Sequence, residues 1–273
     1  MHVGEAGHGD PIVLLHGFPQ HWWQWRRVIP DLADRYRVIC PDLRGFGWSD
    51  APTDGYDKET LADDVLRLLD ALALRRVCLV GHNVGGFVGF LVCLKAPERV
   101  EHYLALNTGH PFVRPTPFVL ATLWRFWYWP LIGAPALGPW LVRHEAFLPL
   151  LGRWFTVDRA GWAPDDAALF AAALAEPARA LASSKTYRTY LLRDSPAVLL
   201  GRYRSQRLRV PTRMLNGLED RILRPAFLAG FEPFVEDMTI ELVPGVGHFI
   251  AEEAPELVVE RADQAHTAFD RQL

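Results

Sequence analysis

The sequence has three cysteines among its 273 residues, Cys40, Cys78 and Cys93, and no two of them make a Cys-x-x-Cys pair. Each lies in an apolar segment, so they read as reduced core residues and exclude a disulfide framework. Dense Lys/Arg runs are missing too. With a formal net charge of −3, nothing points to nucleic acid or an anionic membrane as partner. Met1 to Gly7 carry neither the basic nor the apolar region of an export signal, which points to the cytoplasm. The longest apolar stretch, Pro117 to Val142, is interrupted by Arg125, Pro130, Pro135 and Pro139, so a membrane span is not expected. The histidines lack metal-ligand spacing, and neither a metal nor another cofactor is expected. The expected partner is a small molecule, and the chain is expected to act as a monomer or homodimer.

Half of the residues are hydrophobic, enough for one large α/β domain with an insertion. The chain is organised around Val77-Cys78-Leu79-Val80-Gly81-His82-Asn83-Val84-Gly85-Gly86. Four apolar residues suited to a buried parallel strand run into a glycine-rich turn, and 87–94 continue as a buried helix. Gly81, Gly85 and Gly86 let the backbone turn sharply and push residue 83 out above the sheet. Upstream, Pro11–Leu15 is a strand that delivers His16-Gly17-Phe18-Pro19, a tight turn whose X-Pro bond could be cis. Arg37–Pro41 is a second strand, emptying into Asp42-Leu43-Arg44-Gly45-Phe46-Gly47-Trp48-Ser49. Thr60 to Leu72 carries Leu61, Val65, Leu68, Leu69 and Leu72 on one helical face, with Thr60 and Asp63 as a capping-box-like start. Further strands are expected at 102–107, at 210–217 and, near an edge, at 238–243. Strands alternating with helices predict a mostly parallel, doubly wound α/β sheet.

These motifs carry a resemblance. Gly-His-Asn-Val-Gly-Gly resembles the nucleophile elbow of the α/β-hydrolases. His-Gly-Phe-Pro with Asp-x-Arg-Gly-x-Gly-x-Ser is similar to the epoxide hydrolase and dehalogenase branch, and Gly247-His248-Phe249-Ile250 followed by Glu-x-Pro-Glu resembles its catalytic-histidine loop. The resemblance implies the α/β-hydrolase fold and the chain order elbow 83, acid Asp220, base His248. Glu219 adjoins Asp220, but the Gly-x-x-Asp spacing favours Asp220. The oxyanion hole would be the backbone N–H groups of Phe18 and Val84. His16 would be structural, and Asp42 and Arg44 a structural pair beside the site.

At 114–205 the composition turns rich in proline, tryptophan and alanine with no strand pattern. The resemblance makes this a helical lid, inserted between core segments 1–113 and 206–273. Trp22, Trp124 and Trp127 are expected at the substrate pocket. Lys185-Thr186-Tyr187-Arg188 resembles the late-lid Tyr-Arg of epoxide hydrolases, so Tyr187 and, in preference to Tyr190, Tyr128 are the expected proton donors to an opening epoxide. The implied reaction is epoxide hydrolysis to a vicinal diol on a bulky apolar or aromatic substrate.

Two positions depart from the pattern. Asn83 stands where this branch has the nucleophilic Asp, and Val84 where it often has a Trp that in dehalogenases helps bind halide. Asn83 leaves three accounts open: a substitution that arrests the reaction, a lost step, or direct attack by water activated at His248. A haloalkane dehalogenase, an esterase-like hydrolase and a non-catalytic binding protein are the alternatives.

Overall fold

The computed structural model describes residues 1–157 and 164–270. Seven strands form one sheet: β1 (Val3–Ala6), β2 (Asp10–Leu15), β3 (Tyr36–Pro41), β4 (Val77–His82), β5 (Val100–Leu106), β6 (Thr212–Gly217) and β7 (Met238–Val243). Their order is β1-β3-β2-β4-β5-β6-β7. Only β1 runs antiparallel, against β3, and the other pairings are parallel. β7 is the far edge.

Burial on both faces is what the apolar strands call for. Successive residues point to opposite sides, so Val13, Leu15, Leu79 and Ala105 enter one apolar cluster and Ile12, Leu14, Val80 and Leu104 the other. Three helices between the strands are α1 (Ile29–Ala33), α2 (Lys58–Ala71) and α3 (Asn83–Lys95). Leu61 and Val65 of α2 and Val88 and Leu91 of α3 fill the first cluster. Leu32 of α1 fills the second, with residues of the C-terminal helices introduced below.

Between β5 and β6 come α4 (Pro117–Thr122), α5 (Tyr128–Gly133), α6 (Leu137–Arg143), α7 (Phe147–Phe155), α8 (Pro164–Ala175), α9 (Pro177–Thr189) and α10 (Ser195–Leu199), with a π-helical turn at Tyr190–Asp194. No strand occurs there among the described residues. α9 packs against α5, α6 and α8. The chain closes with α11 (Ile250–Glu253) and α12 (Pro255–Asp270), and Ile250 and Val258 join Leu32 in the second cluster. Among the described residues no helix is long and apolar enough to cross a membrane.

Local readings differ from the sequence expectation at three points. α2 starts at Lys58, and its cap is Asp57, whose carboxylate accepts from the Thr60 N–H at 3.1 Å and the Thr60 hydroxyl at 2.8 Å. Thr60 therefore donates to a cap instead of being one, and Asp63 is drawn away to Lys95. Asp42 and Arg44 do not pair. Asp42 turns inward, accepting from the N–H groups of Trp22 and Trp48 and contacting His2. Arg44 turns outward to a two-point ion pair with Asp64. The short edge strand β1 has no counterpart in the sequence reading.

The elbow depends on close backbone approach. A Cβ on Gly85 would lie 2.5 Å from the carbonyl oxygens of both Leu15 and His16. Gly85→Ala is therefore expected to cost about 1–3 kcal/mol, the range for forced overpacking, read as a lower urea midpoint at unchanged slope.

Candidate active site

β4 ends at His82 and α3 begins at Asn83. The junction is sharp because Asn83 takes a φ of 50°, a left-handed conformation that asparagine tolerates better than most residues. Gly17 and Gly86 leave room for it: a Cβ on Gly17 would meet the Asn83 Cβ at 2.6 Å, and one on Gly86 would meet the Thr108 side chain at 2.6 Å. The Thr108 hydroxyl donates to the Asn83 carbonyl oxygen at 2.8 Å. The Phe18–Pro19 peptide is cis.

The Asn83 side chain is held at both ends. Its Oδ1 accepts from the Phe18 N–H at 3.2 Å, and its Nδ2 lies 3.0 Å from His248 Nε2. An amide nitrogen only donates, so Nε2 is the acceptor and the His248 proton sits on Nδ1. Nδ1 in turn lies 2.8 Å from Asp220 Oδ2. This is the neutral tautomer that a general base requires.

Asp220 is fully buried. Burial pushes its pKa up, but the electrostatic interaction and hydrogen bond with His248, the Asn107 amide and the Ile222 N–H together hold it below the usual carboxylate range. The bonds are specific: Oδ2 also accepts from Asn107 Nδ2 at 2.8 Å, and Oδ1 from the N–H groups of Ile222 and Leu223 at 2.7 and 3.1 Å. Glu219 makes no bond to His248; the contact belongs to Asp220. Asn107, at the end of β5, was not marked out by the sequence. Its φ of 40° and a second bond, to the Gly247 carbonyl at 3.0 Å, fix its amide under the acid.

The flanking histidines are neutral scaffolding. Burial drives the His82 pKa down to about 3, and its Nε2 reaches the His248 carbonyl oxygen at 2.9 Å. His16 accepts the Leu43 N–H at 2.9 Å, and burial lowers its pKa as well. Glu252 ties two loops together: Gln20 donates to it at 2.7 Å and Arg26 twice at 2.8 Å.

A cavity of about 580 Å³ opens above Asn83, walled by Trp124, Trp127, Tyr128, Tyr190, Phe227 and other largely apolar residues. Tyr128 and Tyr187 stand side by side, rings 5.8 Å apart, and the Tyr187 ring meets the Phe18 ring edge-on at 4.9 Å. Burial raises the pKa of both tyrosines, which keeps their protons on. Tyr190 is differently engaged, with Lys58 Nζ 3.6 Å from its ring centroid and Trp129 stacked at 4.9 Å. Val84 lies in the first turn of α3, where backbone N–H groups have no intrahelical acceptor. Trp22 does not reach the cavity. Its 3-10 turn (Trp22–Trp25) carries the indole onto β1, where a Cβ on Gly4 would lie 2.8 Å from the ring, and onto Trp23 at 5.2 Å.

Among the described residues, Cys78, Glu101 and His102 form the one group whose ligand atoms are close enough to share a metal ion. The group lies at the starts of β4 and β5, the opposite end of those strands from Asn83.

A family model described as alpha/beta hydrolase fold matches residues 10–129. The chain is 32% identical over 275 residues to a soluble epoxide hydrolase of Corynebacterium sp. (strain C12), covering 96% of this chain and 92% of that protein. It is 31% identical to the AB hydrolase superfamily protein YfhM of Bacillus subtilis (strain 168), covering 94% and 91%. Among solved structures, the epoxide hydrolase CorEH without ligand superposes with a TM-score of 0.84 at 29% identity, covering 97% of this chain and 94% of that one.

Proposed function

The chain belongs to the α/β-hydrolase superfamily, and from that premise we propose that its site is organised to open an epoxide on a bulky apolar substrate to a vicinal diol through a carboxylate at position 83. In this reading residues 114–205 form a lid over a core of 1–113 and 206–273. The observation that carries it is the suspension of the residue-83 side chain between the Phe18 N–H and His248 Nε2, beneath a cavity with Tyr128 in its wall.

With a carboxylate at 83, one oxygen attacks an epoxide carbon and the ring C–O bond breaks. Tyr128 and Tyr187 bind the leaving oxygen and one of them gives it a proton, which a phenol at neutral pH can do and water can do only poorly. The result is an ester to residue 83. His248 then takes a proton from water, the hydroxide adds to the ester carbonyl carbon, and the N–H groups of Phe18 and Val84 hold the oxyanion. On collapse the expelled alkoxide takes the proton from His248 as the diol leaves, and the carboxylic acid at 83 returns a proton to the tyrosinate, which restores the carboxylate. Asn83 halts the first half, because an amide nitrogen's lone pair is delocalised and the oxygen carries no full charge. Binding survives, since amide and carboxylate have the same shape.

The test compares the parent chain and Asn83→Asp on a panel of aryl and alkyl epoxides, alkyl halides and aryl esters, with product identification. Diol formation by the Asn83→Asp chain is expected. Halide release or ester cleavage without diol overturns the reading, and ligand-induced thermal stabilisation with no product from either chain would favour a binding protein. In the Asn83→Asp background, Tyr128→Phe is expected to lower kcat on epoxides by about 100-fold, the worth of a positioned acid.

A further inference from the structure

We propose that this chain makes its own nucleophile: water activated by His248 hydrolyses the Asn83 side-chain amide, leaving a carboxylate at position 83 and releasing ammonia. The inference rests on the hydrolytic half of the preceding reading and on nothing in its epoxide half.

The Asn83 amide lies where the ester of the second half-reaction would lie. Its carbonyl oxygen is on the Phe18 N–H at 3.2 Å, and its leaving atom Nδ2 is 3.0 Å from His248 Nε2. Asp220 Oδ2, 2.8 Å from Nδ1, stabilises the imidazolium that forms when Nε2 takes a proton. Asn83 lines the large cavity, so water reaches the amide carbon from that side. An amide with its oxygen in an oxyanion site and its nitrogen beside a general acid has the arrangement that acyl-transfer catalysis requires.

The step balances without an added reagent other than water. His248 Nε2 takes one water proton while the water oxygen bonds to Cγ and the C=O electron pair moves onto Oδ1, which the Phe18 N–H holds. The imidazolium then gives its proton to Nδ2, the Cγ–N bond breaks, and ammonia leaves. Ammonia takes the proton of the new carboxylic acid, so the sum is amide plus water to carboxylate plus ammonium, with no change in oxidation state.

The ordinary route of asparagine loss is disfavoured here. It needs the next backbone nitrogen to attack Cγ, but that nitrogen belongs to β-branched Val84 in the first turn of α3, and its attack would unwind the turn. Asn107 and Asn216 serve as internal controls. Both are buried, and their Nδ2 atoms donate to Asp220 and Gly247 and to Gly217 and Leu223 respectively. Neither nitrogen meets a histidine in these bonds.

The experiment incubates freshly purified chain at neutral pH in water labelled with heavy oxygen and follows the residue-83 peptide by mass spectrometry. Expected is time-dependent conversion of Asn83 to normal aspartate carrying one heavy oxygen, with Asn107 and Asn216 intact. His248→Gln, verified as folded by circular dichroism and melting, is expected to slow conversion by about 100-fold. Asn83 left intact, or an aspartate–isoaspartate mixture that His248→Gln does not slow, overturns the proposal. Assaying the same samples on epoxides separates the two readings. Conversion without diol formation supports this inference and overturns the epoxide reading, whereas diol from Asn83→Asp with no conversion in the parent overturns this inference alone.

Discussion

In the Asn83→Asp background, Asp220→Asn is expected to lower steady-state diol formation by about 10⁴-fold, the loss seen when a catalytic histidine is held in the wrong tautomer. Asp220 Oδ2 now accepts the His248 Nδ1 proton and is itself fixed by Asn107 at 2.8 Å. An amide at 220 can turn its NH₂ toward Nδ1, which moves the imidazole proton to Nε2 and removes the lone pair that takes a proton from water. Alkylation needs no base, so the first half-reaction continues and the ester at residue 83 accumulates. Intact mass after mixing with substrate should show one equivalent of covalent adduct within the first turnover. A loss under about tenfold, without adduct, would move the acid's role away from Asp220, with neighbouring Glu219 as the group to change next.

The candidate site is legible in the sequence where its arrangement rests on residue type and fixed spacing. Gly81, Gly85 and Gly86 bracket residue 83 because only glycines fit the close approaches around it, and Gly-His248-Phe sits in a loop with a recognisable composition. What stayed hidden depends on long-range partners. Asn107 is an ordinary strand-end residue until the fold brings Asp220 and Gly247 to it, 113 and 140 positions away in the chain. Glu252 gathers Gln20 and Arg26 in the same way from more than 220 positions away. Trp22 was misassigned because an aromatic run does not say which side of a short 3-10 turn each ring takes. The pairing of Asp42 with Arg44 failed for a related reason. Residues two apart in a loop can point to opposite sides, and here one carboxylate is consumed by backbone N–H groups.

Asn83 is a local choice that agrees with its surroundings. A carboxylate between the Phe18 N–H and His248 Nε2 would set a negative oxygen against an imidazole lone pair, unless the imidazole took up a proton. The amide satisfies both neighbours with His248 neutral. The parent chain therefore holds the site in a relaxed, hydrogen-bonded state.

Lys58→Met is expected to destabilise the fold by about 3–5 kcal/mol, the usual loss when one member of a buried ion pair is removed and the other stays behind. Lys58 is fully buried at the start of α2. Its Nζ lies 2.9 Å from Asp194 Oδ2 and donates to the Thr186 carbonyl oxygen at 2.9 Å and the Thr189 hydroxyl at 3.0 Å. These partners belong to α9 and the π-helical turn after it, whose Tyr190 and Asp194 wall the cavity. The lysine therefore fastens the sheet-side layer to the helical segment that shapes the pocket. Urea denaturation of Lys58→Met and of Lys58→Met/Asp194→Asn separates the two contributions. The double variant should recover much of the loss, because the stranded carboxylate, more than the lost attraction, sets the cost. A single-variant loss below about 1 kcal/mol would mean the pair fastens nothing. Burial pulls the Lys58 pKa down from 10.5 to about 8, so between those values the unfolded chain binds more protons than the folded one. The contribution of this group to stability thus rises with pH across that window, and the parent chain should gain on Lys58→Met as pH climbs through it. The same fastening sets the pocket's shape, so the single variant should also bind apolar ligands more weakly at temperatures where it remains folded.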